Sequence, residues 1–146
     1  MKNGDRYIWP VFWMSLGIFL LVIASVLISV GWPFMRALPI FLVALFLAGL
    51  TLMILSLRSA MEKKPKAFMI LAGAALTGMP VFILLHGIVY GMFIQMFGEG
   101  FWGGAANSDE PFFFILAMVG CPLAYLVGVT GSIYLLARSR NKDRQA

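Results

Sequence analysis

Charged residues fall along this chain at intervals that leave four long gaps. There are 29 residues without Asp, Glu, Lys or Arg between Arg6 and Arg36, 21 between Arg36 and Arg58, 32 between Lys66 and Glu99, and 27 between Glu110 and Arg138. About 20 apolar residues in a helix cross the roughly 30 Å hydrocarbon core of a bilayer, so each gap has room for one crossing. Lipid offers no hydrogen bonds to an open backbone, and these runs are continuous where a barrel would need short alternating segments. The expected fold is therefore an all-α integral membrane protein, a single domain of four transmembrane helices in an antiparallel bundle. The spans are predicted at about Ile8 to Val30, Leu38 to Leu57, Ala67 to Gln95 and Phe112 to Ala137. Composition agrees: 62% of the 146 residues are hydrophobic, with a mean hydropathy of +0.95. One soluble core of this size could not hide that much.

The first span follows Lys2 and Arg6 as a secretory signal would, but it is too long for a signal's apolar core. The single cysteine, Cys121, lies deep in the fourth span, so no disulfide is expected within the chain. Basic residues set the orientation, because loops rich in Lys and Arg stay on the cytoplasmic side. Ten of the 11 lie on one side, at the start, between spans two and three, and in the tail, with Arg36 alone opposite. Both termini of a multi-pass cell-membrane protein are thus expected in the cytoplasm. The loop between spans three and four, with Glu99, Asp109 and Glu110, faces out. The net charge of +5 belongs to the inner surface, where it suits topology and anionic lipid. No nucleic-acid-reading module is present.

In chain order, Tyr7, Trp9 and Trp13 make an aromatic belt at the inner interface. Ser15, Ser25 and Ser29 in span one are expected to bond back to their own helix. Gly31 to Leu38 is read as a tight outer turn bounded by Pro33 and Pro39. Ala44, Ala48 and Thr51 offer a small face on span two. Arg58 to Lys66 is a solvated charged loop. The third span holds 29 residues, about 43 Å of helix, more than the bilayer core needs, and Pro80 is expected to bend it.

Gly73, Thr77, Pro80, Leu84, Gly87 and Gly91 recur at spacings of 4, 3, 4, 3 and 4 along span three. Ala117, Cys121, Ala124, Gly128 and Gly131 do the same at 4, 3, 4 and 3 along span four. Such small-residue seams let helices approach closely, here each other or a partner subunit, with Gly73, Gly87, Gly91, Ala124 and Gly128 as the packing positions. Both helices carry a Gly-x-Pro step, at Gly78 to Pro80 and Gly120 to Pro122, read as paired kinks. The outer loop from Met96 to Pro111 mixes glycine with Phe97, Phe101 and Trp102, which suits the membrane surface or a partner. Asp109 and Glu110 before Pro111 are accounted for as a helix start, and Glu99 is not.

Apart from His86, no acid, base or imidazole lies inside a span. A proton-coupled carrier ordinarily needs an intramembrane carboxylate, one histidine cannot supply both ligands of a haem, and no nucleophile motif occurs. No enzyme activity, metal or cofactor is therefore expected. His86 is read most simply as a buried neutral imidazole, bonded to Tyr90 one turn on or to a neighbouring helix; the functional readings are a quinone, haem or metal contact. Met92 and Met96 at the outer end are soft donors that with His86 would suit Cu(I), but Met92 lies about 9 Å from His86 along the axis and Met is a common packing residue.

Gln95-Met96-Phe97-Gly98, the acidic Glu99 and Glu110, and Phe114-Ile115-Leu116 followed by Gly120-x-Pro122 resemble the small membrane-anchor B subunits of reductive dehalogenases. The resemblance covers about the last third of the chain, which has a longer loop and one span more than that family's members. It implies that Glu99 and Glu110 stand where the family's outer-loop glutamates face the exported corrinoid and iron-sulfur catalytic subunit, leaving the anchor no catalysis of its own.

Two functions are expected on these grounds. One is a non-catalytic anchor or accessory subunit that docks a membrane or exoplasmic partner, or a second copy, through Glu99, Trp102 and Glu110. The other is a homo-oligomeric channel or transporter for a small solute, built from the glycine-rich third and fourth helices.

Overall fold

The computed structural model describes residues 5–27, 32–98 and 111–143. They form α1 (Asp5–Leu27), α2 (Trp32–Arg58), α3 (Lys63–Phe97), α4 (Pro111–Ile115), a π-helical turn (Leu116–Gly120) and α5 (Cys121–Asp143). Four stretches are long and apolar enough to cross a membrane: Tyr7–Ala24, Pro39–Arg58, Lys63–Phe97 and Phe112–Arg138. These dimensions fit a multi-pass membrane protein, with α4, the π turn and α5 making one crossing.

Helix ends differ from the expected ones in ways the local chemistry explains. α2 begins at Trp32 and carries Pro39 inside it, where a stop at Pro33 and a restart at Pro39 were expected. Pro33 falls in the first turn, where a missing N–H costs nothing, and Pro39, almost two turns further on, gives up a single bond. α3 begins at Lys63 rather than Ala67, with Pro65 inside its first turn, so the charged loop shrinks to residues 59–62. That loop is also fastened. Lys66 donates to the Leu57 carbonyl at 2.8 Å and to the Ser59 carbonyl at 3.1 Å, placing a cation on the C-terminal carbonyls of α2. At its far end α3 stops on Gly98, whose φ of 84° disfavours any side chain, and whose N–H closes on the Ile94 carbonyl at 2.9 Å.

Small residues decide which helices touch. α2 and α3 run antiparallel through Gly49 and Gly73: a Cβ built on Gly73 would lie 2.8 Å from the Gly49 carbonyl oxygen and the Met53 nitrogen, and one on Gly49 2.7 Å from the Leu76 Cβ and the Thr77 nitrogen. As the partner number rises on one helix it falls on the other, which is the antiparallel register. α3 and α5 meet in the same way: a Cβ on Gly128 would lie 2.7 Å from the Ala72 nitrogen and 2.8 Å from the Phe68 carbonyl oxygen, and the Phe68 ring covers Gly131. α3 is thus the shared helix, with α2 and α5 packed against it and α1 against α2.

α1 and α5 close the bundle with long side chains instead of close backbones. Tyr125 of α5 is fully buried, its ring centroid 4.5 Å from that of Phe19. Its hydroxyl lies 3.4 Å from the Ser15 Oγ. Ser15 gives its own proton to the Phe12 carbonyl at 2.8 Å, so the Tyr125 hydroxyl is the donor in the contact between helices. The serine is bonded within its helix as expected, and it also accepts across the bundle.

Candidate functional site

The interior leaves little room for chemistry. Phe12, Leu45, Leu52, Leu76 and Tyr125 fill the middle of the bundle at 0% exposure. Two polar groups there are spent locally: Ser132 donates to the Gly128 carbonyl at 2.8 Å and Thr77 to the Gly73 carbonyl at 2.9 Å. Among the described residues, no three His, Cys, Asp or Glu side chains come together. Cys121 is buried against α3 beside Gly78. Ser56 is also buried, and among the described residues its hydroxyl has no hydrogen-bond partner.

The feature that stands out is a change in α3 at Pro80. Its buried residues, Met69, Ala72, Gly73, Ala75, Leu76, Met79 and Pro80, all precede Val81. From Val81 to Gly98, none is buried. The helix holds 35 residues, about 52 Å at 1.5 Å each, and its second part, about 26 Å, is longer than the roughly 15 Å half of a bilayer core. It is not uniform in character. One side carries aromatic contacts toward the fourth crossing, with Phe82 stacked on Phe113 at 6.3 Å and His86 set 5.9 Å from Phe114. The other side presents Leu84 at 65% and Ile88 at 64% exposure, with Gly87 and Gly91 beside them. Among the described residues nothing lies within 4 Å of where a side chain on either glycine would start.

The seam seen in the α3 sequence therefore divides. Gly73 meets α2, not the fourth crossing, because Gly49 lies opposite it; Gly49 was not among the expected packing positions, although the Ala48-Gly49 pair was a signal for it. The fourth crossing packs its seam on α3 throughout: Ala117, Cys121 and Gly128 are buried, and Ala124 is partly buried against the core. Gly87 and Gly91 are left open. On α2, Ala48 is buried and Thr51 faces away.

His86 lies on the aromatic side. Its ring stacks against Tyr90 with centroids 6.3 Å apart, and its Nδ1 is shielded with no hydrogen-bond partner among the described residues. The imidazole is thus held between rings. Tyr125 and Ser15, which carry the polar contact across the bundle, were not singled out as a pair by the sequence; a tyrosine in mid-span was the available signal. Glu99, Trp102 and Glu110 lie outside the described residues.

The fourth crossing is interrupted where its Gly-x-Pro step predicted a kink. The Cys121 N–H reaches back to the Leu116 carbonyl, five residues earlier, and Pro122 follows at once. Proline has no N–H for the carbonyl four residues before it, and a widened turn relieves both the lost bond and the ring contact. α3, by contrast, runs as an unbroken α-helix through Pro80.

No protein-family model, curated protein or solved structure matches this chain.

Proposed function

We propose that the protein is a non-catalytic integral membrane subunit of the cell membrane, with both termini cytoplasmic, that docks a partner along the acidic-loop half of α3 and through the loop beyond it. The observation that carries this is the division of α3 at Pro80, where a helix packed on two neighbours continues for another 17 residues with its glycines uncovered. A helix that faces only lipid gains nothing from glycine, whereas Gly87 and Gly91, four residues apart, let a second backbone approach closely. Glu99, Trp102 and Glu110 would extend the contact beyond the membrane surface. In the arrangement implied by the resemblance to dehalogenase anchors, the two glutamates face an exported catalytic subunit. The filled interior and the spans free of carboxylates fit a protein that holds rather than converts.

The filled centre also bears on the alternative, a channel or transporter for a small solute. Phe12, Leu45, Leu52 and Tyr125 are fully buried between the helices, which favours a solute path between protomers over one through a single chain.

The test is photo-crosslinking in native membranes with a benzophenone amino acid at Ile88, against the same probe at Leu47, an exposed position on α2. Ile88 should give one discrete protein adduct, and Leu47 none. Lipid adducts alone at both positions would refute docking on this face.

A further inference from the structure

Where the 59–62 connection meets the end of α5, a groove of about 480 Å³ opens at the basic end of the bundle. Met61, Leu135 and Leu136 give it an apolar wall, and Glu62, Lys64 and Arg138 give it charges. Its depth is that of the lipid headgroups, since the apolar stretch of the fourth crossing ends at Arg138 and that of α3 starts at Lys63. Neither cation is already committed. Lys66 nearby is fixed on two carbonyls, whereas among the described residues Lys64 and Arg138 make no ion pair and no side-chain hydrogen bond. In the first turn of α3 only Lys63 and Lys64 have N–H groups that the helix leaves unpaired, since Pro65 has none and Lys66 bonds to the Glu62 carbonyl, and Glu62, at the N-cap, makes no side-chain bond to them.

We propose that this groove binds the phosphodiester headgroup of an anionic phospholipid from the leaflet on the basic side. The phosphate faces Lys64 and Arg138, and the start of the acyl chains lies along Met61, Leu135 and Leu136. Charge selects this occupant over free phosphate. Two cations against one carboxylate leave a single net positive charge, which suits a singly charged phosphodiester better than a phosphate monoanion-dianion mixture of charge about −1.5 to −2. The apolar wall acts in the same direction, because a free ion would gain nothing from it. Basic pockets between helices at this depth are the usual form of a headgroup site. The inference stands apart from the docking of a partner, which concerns the opposite end of α3.

The experiment uses the full chain in a neutral maltoside detergent, with native mass spectrometry after addition of phosphatidylglycerol or of phosphatidylcholine with the same acyl chains. The wild-type protein should retain one phosphatidylglycerol per chain in preference to phosphatidylcholine. The Lys64→Ala/Arg138→Ala variant should weaken that retention about 30-fold, taking each basic residue at the surface as worth about one kcal/mol. Lys64→Arg/Arg138→Lys should keep it. Arg58→Ala/Lys63→Ala, which removes equal charge from residues that do not line the groove, should change it far less. Undiminished retention by Lys64→Ala/Arg138→Ala would overturn the proposal, as would equal loss in the two alanine pairs, which would mean diffuse attraction only. Displacement of the lipid by millimolar inorganic phosphate would overturn it in favour of a free anion.

Discussion

Two glycines on α3, fourteen residues apart, are under opposite constraints. Gly73 lies against backbone, 2.8 Å from the Gly49 oxygen and the Met53 nitrogen as measured from an added Cβ, and backbone cannot turn aside as a side-chain tip can. Gly73→Ala should therefore force α2 and α3 apart, at about 1–3 kcal/mol, the usual cost of overpacking. Gly87 has open space on the same helix, so Gly87→Ala should leave the isolated protein unchanged or more stable by up to about 1 kcal/mol of helix propensity. Unfolding in mixed detergent micelles reads both, and equal destabilisation would mean that Gly87 is packed within the protomer. Tyr125 works differently. Its bond to Ser15 is worth about 0.6 kcal/mol if it resembles other polar pairs inside membrane proteins, so its main contribution is volume between α1 and α5.

At the scale of the element, the fourth crossing shows how one proline sets a helix's phase. The π turn places the Phe113 ring 6.3 Å from that of Phe82, nearly parallel to it at 21°. Pro122→Ala would restore an N–H for the Met118 carbonyl and make a regular α-turn available, rotating residues 111–119 about 100° relative to α5. In a Cys121→Ala background, the pair Phe82→Cys/Phe113→Cys should crosslink with a short bifunctional thiol reagent, and adding Pro122→Ala should lower the yield. An unchanged yield would mean that residues other than Pro122 set the turn. Four helices long and apolar enough to cross a membrane were legible in the charge gaps, because the bilayer imposes a length on each apolar run. Their ends were less so. Lys63 to Lys66 reads as loop by composition, yet Pro65 is acceptable in a first turn and Lys66 finds α2's carbonyls, a partner that spacing alone does not reveal. The α3 seam was legible as a seam, but its division at Pro80 depends on Gly49, a residue on another helix.

For the whole molecule, packing and charge are distributed along one axis. The core lies around α3 from Met69 to Pro80 and in the buried faces of α1, α2 and α5, while the length of α3 beyond Pro80 has no buried residue. Lys66 fastens the basic end, and the groove of Lys64 and Arg138 lies there too. The fold thus has one end suited to anchoring in the membrane and one with an unfilled helix face, which is the basis for proposing a subunit that docks a partner. The most direct test is the mass and composition of the intact complex, extracted from its native membrane in mild detergent. A stoichiometric second polypeptide or a second copy, lost on Gly87→Leu/Gly91→Leu, is the predicted result. A monomer carrying lipid alone, with or without those substitutions, would contradict it.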